Sequence, residues 1–535
     1  MASTSKALLC EAILEDYFGY YICEVGKSLL KSDQTFRSIH KNVRTQCRSL
    51  DVKKALVVLE NYDLLGFRLT PRGIVYNIIP DNVIRFCRIF RAIRAIKQRY
   101  LDIGEAIAEE VFSKGRTTFQ NCSDSLVARL NLDPEKIKQA FGHLVSGQIL
   151  RKVNDVVSSE SGVPVFAQTA QPFVFRPPNS AKTKISESGA TKRLAEESES
   201  ISEDVWQFNW NRVDHILRDE LVLKCVKESE EYDSKDALIW NCLLQVADQG
   251  TNLDTIQSDA IAVQTVCQYL KEETGIAHGW EDVDRRLASV AKCIETPIRR
   301  MGDTGGGLYV VDYYAAFESL CYAHVENVIL ELIDERAVRI FRLVRRHINI
   351  EEDQLPKAAM LASKEAKEIA YALLESGFIH NRPIAKTNDF APARTFYFYS
   401  HKMPELVDTM IIKSLDAIRN ICCRRIAEVK KNEVLLTTGE KMDTIILSIQ
   451  NDASLTEEDR NAQTQEVKNM YMTEEDKRNL ERHRNSQRRL HSTEINLEES
   501  LFIFQLCDQF QKLKSRSFAA QLASKKRRRN VEMGA

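Results

Sequence analysis

Residues 51–79 read DVKKALVVLENYDLLGFRLTPRGIVYNII, and this stretch decides the fold. Its first part predicts a helix over 50–62, because Val52, Leu56 and Leu59 recur at the spacing of one helical face. Its second part predicts a hairpin, because TPRG at 70–73 has the Pro and Gly of a tight turn between two apolar strands. A helix therefore runs directly into a β-hairpin.

Two further helices are predicted before this stretch. An amphipathic helix is expected over 6–30, since Leu9, Ala12, Ile13 and Tyr17 share a face, and a short helix is expected at 36–43. Three helices followed by a hairpin within about 80 residues is the winged-helix variant of the helix-turn-helix class. The chain thus begins with a predicted winged-helix domain.

The same helix-to-strand spacing returns at 137–150 and at 366–379, where Gly147 and Gly377 mark the end of the helix. A looser copy has a helix over 280–294, glycines within 302–307 and a strand at 308–311. Glycine supplies the positive φ that a tight hairpin needs. A phosphate-binding loop is the competing interpretation, but such a loop requires a following helix that begins with Lys and Ser or Thr.

A second repeat has the frame RxxRIFRxxR. It reads RFCRIFRAIR at 85–94 and RAVRIFRLVR at 336–345, which indicates a duplicated unit. Helical periodicity puts the apolar residues of each copy on one face and the arginines on the opposite face. We therefore expect residues 86–96 and 340–348 to bury their apolar faces, including the rings of Phe90 and Phe341.

Composition restricts the functional class. A chain of 535 residues is expected to form several domains, and it has no apolar run of the roughly 18 residues that a membrane helix needs. We expect a soluble, intracellular protein. Its 13 cysteines include no CxxC pair and keep no ligand spacing with the histidines, so neither a metal site nor a disulfide framework is expected. Motifs of catalytic or cofactor sites are also missing from the sequence, so we expect no enzymatic activity and no cofactor.

The C-terminal third has a different pattern. Residues 405–450 and 474–510 are charged and nearly free of Gly and Pro, which predicts two long helices that fold back on one another. Residues 451–473 would be their polar connection. Residues 176–204 are rich in Ser, Glu and Lys and are expected to be a disordered linker. Trp206, Trp210 and Trp240 are assigned to a core in preference to a ligand site.

These patterns predict a mainly α fold with small β-hairpins: tandem winged-helix domains followed by a C-terminal helical hairpin or coiled coil. The predicted boundaries are 1–80, 81–175, 205–314 and 315–402 for four winged helices, 176–204 for the linker, 403–515 for the hairpin and 516–535 for a basic tail.

The formal net charge is −1, so any contact with nucleic acid must be local. The helix at 50–62 offers few polar side chains, so direct reading of bases is not expected. The residues to test against the nucleic-acid backbone are Lys53, Lys54, Arg72, Arg85, Arg88, Arg91, Arg94, Arg336, Arg339, Arg342 and Arg345. Protein contacts or solvated faces are the alternatives for each set. The basic run KKRRR at 525–529 is either a nuclear import signal or a solvated end.

Four longer strings carry a family resemblance: GDTGGGLY at 302–309, RIFRLV at 339–344, ASKEAKE at 362–368 and APARTFYFY at 391–399. They resemble the third-largest subunit of eukaryotic RNA polymerase III. The resemblance covers most of the chain and is densest over 302–400. It does not account for the basic tail.

The resemblance implies four winged helices and a helical hairpin, in a nuclear, non-catalytic subunit. It further implies a three-subunit assembly docked on the clamp of the polymerase, contacts with transcription factor IIIB and promoter DNA, and a role in specific initiation at small-RNA promoters. The family is similar in its repeated winged helices to the large subunit of transcription factor IIE, which implies a task in opening the promoter.

Two other functions remain open. The chain could be a free winged-helix regulator of transcription that binds DNA, or a winged-helix scaffold of another large assembly, such as those of protein degradation. Purification distinguishes them, because a polymerase subunit co-purifies with catalytic subunits in fixed stoichiometry.

Overall fold

The computed structural model is mainly helical and contains small antiparallel sheets of two or three strands, as the sequence predicted. It describes residues 2–71, 73–130, 132–153, 156–158, 164–166, 204–227, 234–248, 253, 255–275, 279–292, 297–385, 395–451 and 457–533. The chain divides into two compact units. One unit holds Met1–Phe90, Asn154–Thr169 and Ser414–Glu499, and the other holds Arg91–Val153, Ala170–Lys413 and Ser500–Ala535. None of the helices described combines the length and the hydropathy that crossing a membrane requires.

The N-terminal domain lies in the first unit. Its elements are α1 (Ala2–Phe18), α2 (Tyr20–Lys31), β1 (Gln34–Thr35), α3 (Phe36–Val43), α4 (Ser49–Asn61), β2 (Leu65–Thr70) and β3 (Gly73–Ile78). The predicted hairpin is confirmed, since β2 and β3 pair antiparallel, and β1 adds to the other edge of β3. Ile13, Val52 and Leu59 are fully buried in its core. The single helix predicted over 6–30 is wrong, because Gly19 has a φ of 80° and separates α1 from α2.

The first RxxRIFRxxR copy follows as α5 (Pro80–Ile84), a 3₁₀ turn at Arg85–Arg88 and α6 (Ile89–Lys114). Its predicted apolar face is confirmed in part, since Phe86, Ile89 and Ile96 are buried. The prediction is wrong for Phe90, which is 39% exposed, and for Arg88 and Arg91, which are buried. The physical reason is the 3₁₀ turn, which has about 3.0 residues per turn in place of 3.6 and so changes the direction of the side chains that follow.

The second three-stranded sheet lies in the other unit. Its elements are β4 (Arg116–Thr118), α7 (Phe119–Leu130), α8 (Pro134–Ser146), β5 (Leu150–Lys152) and β8 (Val205–Phe208); a separate hairpin of the first unit consists of β6 (Val156–Ser158) and β7 (Pro164–Phe166). The strand order is β4-β8-β5. Strand β8 therefore completes this sheet, although the predicted boundary put residue 205 at the start of the next domain. Trp206 on β8 is buried against Phe141, with ring centroids 5.7 Å apart.

The third set of elements confirms the glycine-rich hairpin. It comprises α9 (Trp210–Lys227), α10 (Ser234–Asp248), β9 (Ile261–Ala262), α11 (Val263–Thr274), α12 (Trp280–Ala291), β10 (Ile298–Gly302) and β11 (Leu308–Val311). Strands β10 and β11 pair antiparallel, and β9 joins the other edge of β11. Gly305, Gly306 and Gly307 have φ values of 66°, 82° and 119°. A strand follows them, so the hairpin interpretation holds over the phosphate-binding loop. Trp240 on α10 is buried, as expected.

The fourth set contains the second arginine repeat. Its elements are α13 (Tyr313–Leu332), α14 (Glu335–His347), β12 (Asn349–Glu351), α15 (Leu355–Ala359), α16 (Ser363–Glu375), β13 (His380–Ala385) and β14 (Thr395–Ser400), with strand order β12-β14-β13. In α14 the predicted face is confirmed, since Ile340, Phe341 and Val344 are fully buried. Ile348 is an exception. It is 70% exposed with a φ of 61°, because the chain has already left the helix.

The C-terminal helices are α17 (Met403–Lys431), α18 (Glu433–Asn451), α19 (Glu457–Tyr471) and α20 (Glu474–Met533). The helix predicted over 474–510 is confirmed within α20, whereas the single helix predicted over 405–450 is wrong, because α17 ends at Lys431 and α18 begins at Glu433. The polar connection predicted over 451–473 is instead largely helix α19, and Val467 and Met472 pack against Met442, Ile446 and Leu480. The backbone of the basic run at 525–529 is helical as part of α20, and its side chains lie outside the described residues.

The predicted linker at 176–204 lies outside the described residues except for Asp204. Apart from the position of β8, the domain boundaries stay predictions.

Candidate nucleic-acid interface

The first two arginines of the 85–94 frame lie in the first unit, and their side chains contact other residues of this chain. Arg88 Nε donates to Glu498 Oε1 over 2.6 Å, and both side chains are almost completely buried. Arg85 is half-buried, with Nη1 3.4 Å from Asn82 Oδ1. Removing one partner of a buried ion pair strongly destabilises the folded protein, because the other charge stays buried without a counter-charge. Arg88 is therefore part of the packing between the 3₁₀ turn and α20.

The last two arginines of this frame lie in the second unit. Arg91 is buried, and its guanidinium carbon lies 5.7 Å from the centre of the Phe502 ring, an arrangement suited to a cation–π interaction. Arg94 is exposed on α6. Of the four arginines predicted to lie opposite the buried face, Arg94 is thus the one with an exposed side chain.

The arginines of the 336–345 frame are exposed, but most of them have acidic or aromatic partners. Arg342 donates from Nε and Nη2 to Glu326 Oε2 over 3.0 and 2.8 Å. Arg345 lies 3.7 Å from the Tyr322 ring centre and 3.7 Å from Glu326 Oε1. Arg336 pairs with Asp334 and with Glu365. Arg339 contacts the carbonyl of Ala359 over 3.4 Å. Phosphate would compete with these partners for the same cations.

Lys53 and Lys54 are exposed on α4, the third helix of the N-terminal domain. The ammonium of Lys53 lies 5.9 Å from the centre of the Phe36 ring. Leu50 and Val57 are also exposed on this helix, each at 61%. Apolar side chains cannot donate hydrogen bonds to base edges, which agrees with the expectation of backbone contact only. The remaining candidate, Arg72, lies outside the described residues.

Sequence reasoning missed a buried charge cluster in the first unit. Arg425 of α17 donates to Asp16 of α1 and to Glu494 of α20. Burial would raise the pKa of Glu494, but hydrogen bonding to His491 and the charge of Arg425 outweigh burial and lower it. Arg425 lies 66 to 409 positions from these partners in the sequence. No local pattern could have paired them.

The described residues contain no group of three or more His, Cys, Asp or Glu side chains suited to a metal ion. An open groove of 720 Å³ lies between α18 and α20 and is lined by residues such as Val434, Leu435, Tyr471, Met472 and His483. It brings together no nucleophile and base in hydrogen-bond contact that the structure describes. The geometry supports binding surfaces of exposed cations and apolar side chains.

Similarity to known proteins agrees with this picture. A family profile described as "RNA polymerase III subunit RPC82" matches residues 151–320, and one described as "POLR3C, C-terminal winged-helix domain" matches residues 325–401. DNA-directed RNA polymerase III subunit RPC3 of Homo sapiens is 28% identical over 530 residues, which is 93% of this chain and 97% of the human one. The chain is thus similar to an RPC3 protein over nearly the whole length of both chains.

Proteins named RPC3 from other vertebrates match this chain to a similar extent. The proteins of that name from Bos taurus and Danio rerio are 28% and 27% identical to this chain, and the alignments cover 97% and 98% of their lengths. The profile match at residues 325–401 places a winged helix over α14 to β14. The resemblance inferred from four short strings is therefore confirmed across the length of the chain.

Proposed function

We propose that this chain is a non-catalytic subunit of nuclear RNA polymerase III that supports promoter-specific initiation and DNA opening in the transcription of small RNAs. The observation that carries the proposal is the similarity to RPC3 proteins, which spans 93% of this chain and nearly the whole of its relatives. The relatives are named as subunits of RNA polymerase III.

The proposed partners are the other subunits of RNA polymerase III. They include two fellow members of an initiation subcomplex, the clamp of the largest subunit and transcription factor IIIB. Promoter DNA is proposed as a further contact. The fold supports these roles because exposed helix faces and wings are the binding surfaces of winged-helix domains. We assign catalysis to other subunits of the polymerase.

The test is purification from nuclei through a tag at one end of the chain. We expect the catalytic polymerase subunits to co-purify in fixed stoichiometry, with the tag alone as control. Depletion of the chain should lower the synthesis of small RNAs, and re-expression should restore it. Recovery as a free protein would favour the DNA-binding regulator, and recovery with a different large assembly would favour the scaffold. Either result would overturn the proposal.

A further inference from the structure

The N-terminal domain concentrates exposed cations on α3, on α4 and on the turn between them. Residues 36–54 contain one carboxylate, Asp51, and six exposed cations. We call these six the basic face: Arg37, Lys41, Arg44, Arg48, Lys53 and Lys54. Since the whole chain has 75 basic and 76 acidic residues, this local excess is not a consequence of overall composition.

The carboxylates close to the basic face in sequence have other partners. Asp51 Oδ2 accepts from the backbone N–H of Arg48 over 3.2 Å and so caps α4. Asp33 pairs with Arg68 on β2 over 2.6 Å. None of the six cations has a carboxylate within 4.0 Å among the described residues. The basic face is therefore free to bind an external anion.

The third helices of the other domains differ. Each of α8, α12 and α16 has two cations, and all of these except Lys136 have a carboxylate within 4.0 Å: Lys138 with Glu135, Arg285 with Asp282, Arg286 with Asp236, Lys364 with Glu368 and Lys367 with Glu352. Intramolecular pairs of this kind neutralise a surface. The first domain is thus distinguished by unpaired charge in the same structural position.

The cations follow the geometry of a helix-turn-helix. Arg37, Lys41 and Arg44 stand at i, i+4 and i+7, so they form a stripe along α3 and its C-terminal end. Arg48 precedes α4, and Lys53 and Lys54 follow within its first turns. In helix-turn-helix proteins the helix before the recognition helix crosses the phosphate backbone. Here that helix is α3.

We infer that the basic face is a duplex-DNA backbone site that holds phosphates without reading sequence. The inference rests on the proposed function and names the surface through which this chain meets DNA. Leu50 and Val57 occupy the exposed side of α4, so base-specific hydrogen bonds are replaced by charge and shape. A sequence-independent site suits a subunit that acts at many promoters. The arginine repeats contribute less, because Arg88 and Arg91 of the first are buried and most arginines of the second are paired with carboxylates.

The test measures binding of the purified full-length chain to a fluorescent duplex of about 30 base pairs at several salt concentrations. The variant replaces Arg37, Lys41, Arg44 and Arg48 with Ala. The control replaces four exposed cations of the other domains, Lys136, Lys271, Lys357 and Lys364, and so removes the same total charge. Hydrogen exchange across α3 and α4 verifies that the variant is folded.

We expect the Kd of the variant to rise at least tenfold at low salt, and that of the control to stay within about threefold of the unsubstituted chain. Each phosphate contact contributes about 0.9 to the slope of log Kd against log salt, so the slope of the variant should fall by about 2 to 4. A variant with the Kd and slope of the control overturns the inference, as does an unsubstituted chain that does not bind the duplex.

Co-purification separates the remaining possibilities. If the variant binds DNA normally but is lost from the polymerase, the basic face binds an acidic protein surface and the inference is wrong. If the unsubstituted chain binds DNA through the basic face but never co-purifies with polymerase subunits, the proposed function fails and the DNA site stands.

Discussion

Phe90 and Phe341 occupy equivalent positions of a repeated sequence frame and differ in exposure. Phe341 is fully buried, whereas Phe90 is 39% exposed beside His491. We predict that Phe341→Ala lowers the free energy of unfolding around α14 by about 3–5 kcal/mol, because it leaves a cavity in a packed core. Phe90→Ala is the matched control and should cost about 1–2 kcal/mol, since its ring is partly hydrated already. Hydrogen exchange of the amides in Glu335–His347 and Ile89–Lys114 measures both. Equal losses would contradict the assignment of burial.

His401 gives the fourth winged helix a dependence on pH. Its Nε2 lies 3.0 Å from the Tyr322 hydroxyl, and its Nδ1 is buried without a hydrogen-bond partner among the described residues. Burial, and then the charge of Arg345, lower the pKa of His401 below the ordinary value of 6.5. The unfolded chain therefore binds the proton more readily. The stability that neutral His401 provides is complete above about pH 6.5 and is lost as the pH falls toward the folded-state pKa.

We predict that the exchange protection of α14 decreases between about pH 7.5 and about pH 5.5, after correction for intrinsic exchange rates. In His401→Gln the decrease should be smaller, because the titrating group is gone while a polar side chain remains. The same decrease in both proteins would show that other groups cause it.

Among the elements, the β10–β11 hairpin depends on its glycines. Gly306 has a φ of 82°, and a Cβ added there would lie 3.2 Å from the Trp280 ring. We predict that Gly306→Val destabilises this hairpin by about 1–3 kcal/mol, because a β-branched residue is strained at positive φ. Trp280 fluorescence should change, and protection of the distant α4 should not. Gly279→Ala is the control, since a Cβ added there would meet no described atom within 4 Å and its φ is −67°. Loss of protection in both domains would contradict a local effect.

The 3₁₀ turn at Arg85–Arg88 and helix α20 are held together by the Arg88–Glu498 pair. We predict that Arg88→Met lowers stability by about 3–5 kcal/mol, because it leaves Glu498 buried without its cation. Arg88→Met with Glu498→Leu should recover most of that loss, since no charge of this pair then remains buried. Arg94→Met, on the exposed side of α6, should be nearly neutral. Urea unfolding of the three variants tests this, and a double variant no better than the single one would refute the account.

The elements also show what the sequence could predict. The helices at 36–43 and 50–62 and the hairpin after them came from local periodicity and from the turn residues of TPRG. Strand β8 did not, because its partners β4 and β5 precede it by more than 50 residues. The burial of Arg88 could not be predicted from the sequence either, since it depends on Glu498, which lies 410 positions away. For the candidate site, the sequence analysis singled out Lys53 and Lys54 but missed the four other cations of the basic face, and the absence of carboxylate partners among the described residues required coordinates.

At the scale of the whole molecule, elements from the beginning of the sequence form ion pairs within the first unit with elements from its last quarter. Asp16 of α1 pairs with Arg425, which lies 409 positions later, and Arg88 pairs with Glu498. A ribosome that adds about 5–20 residues per second needs about 20–80 s to reach the later partners. During that interval Asp16 and Arg88 lack the partners that neutralise them in the folded chain, and the apolar surface that the late helices cover is exposed. We therefore expect the nascent chain to bind chaperones during that interval, and a product truncated before residue 494 to lack the partners Glu494 and Glu498 permanently.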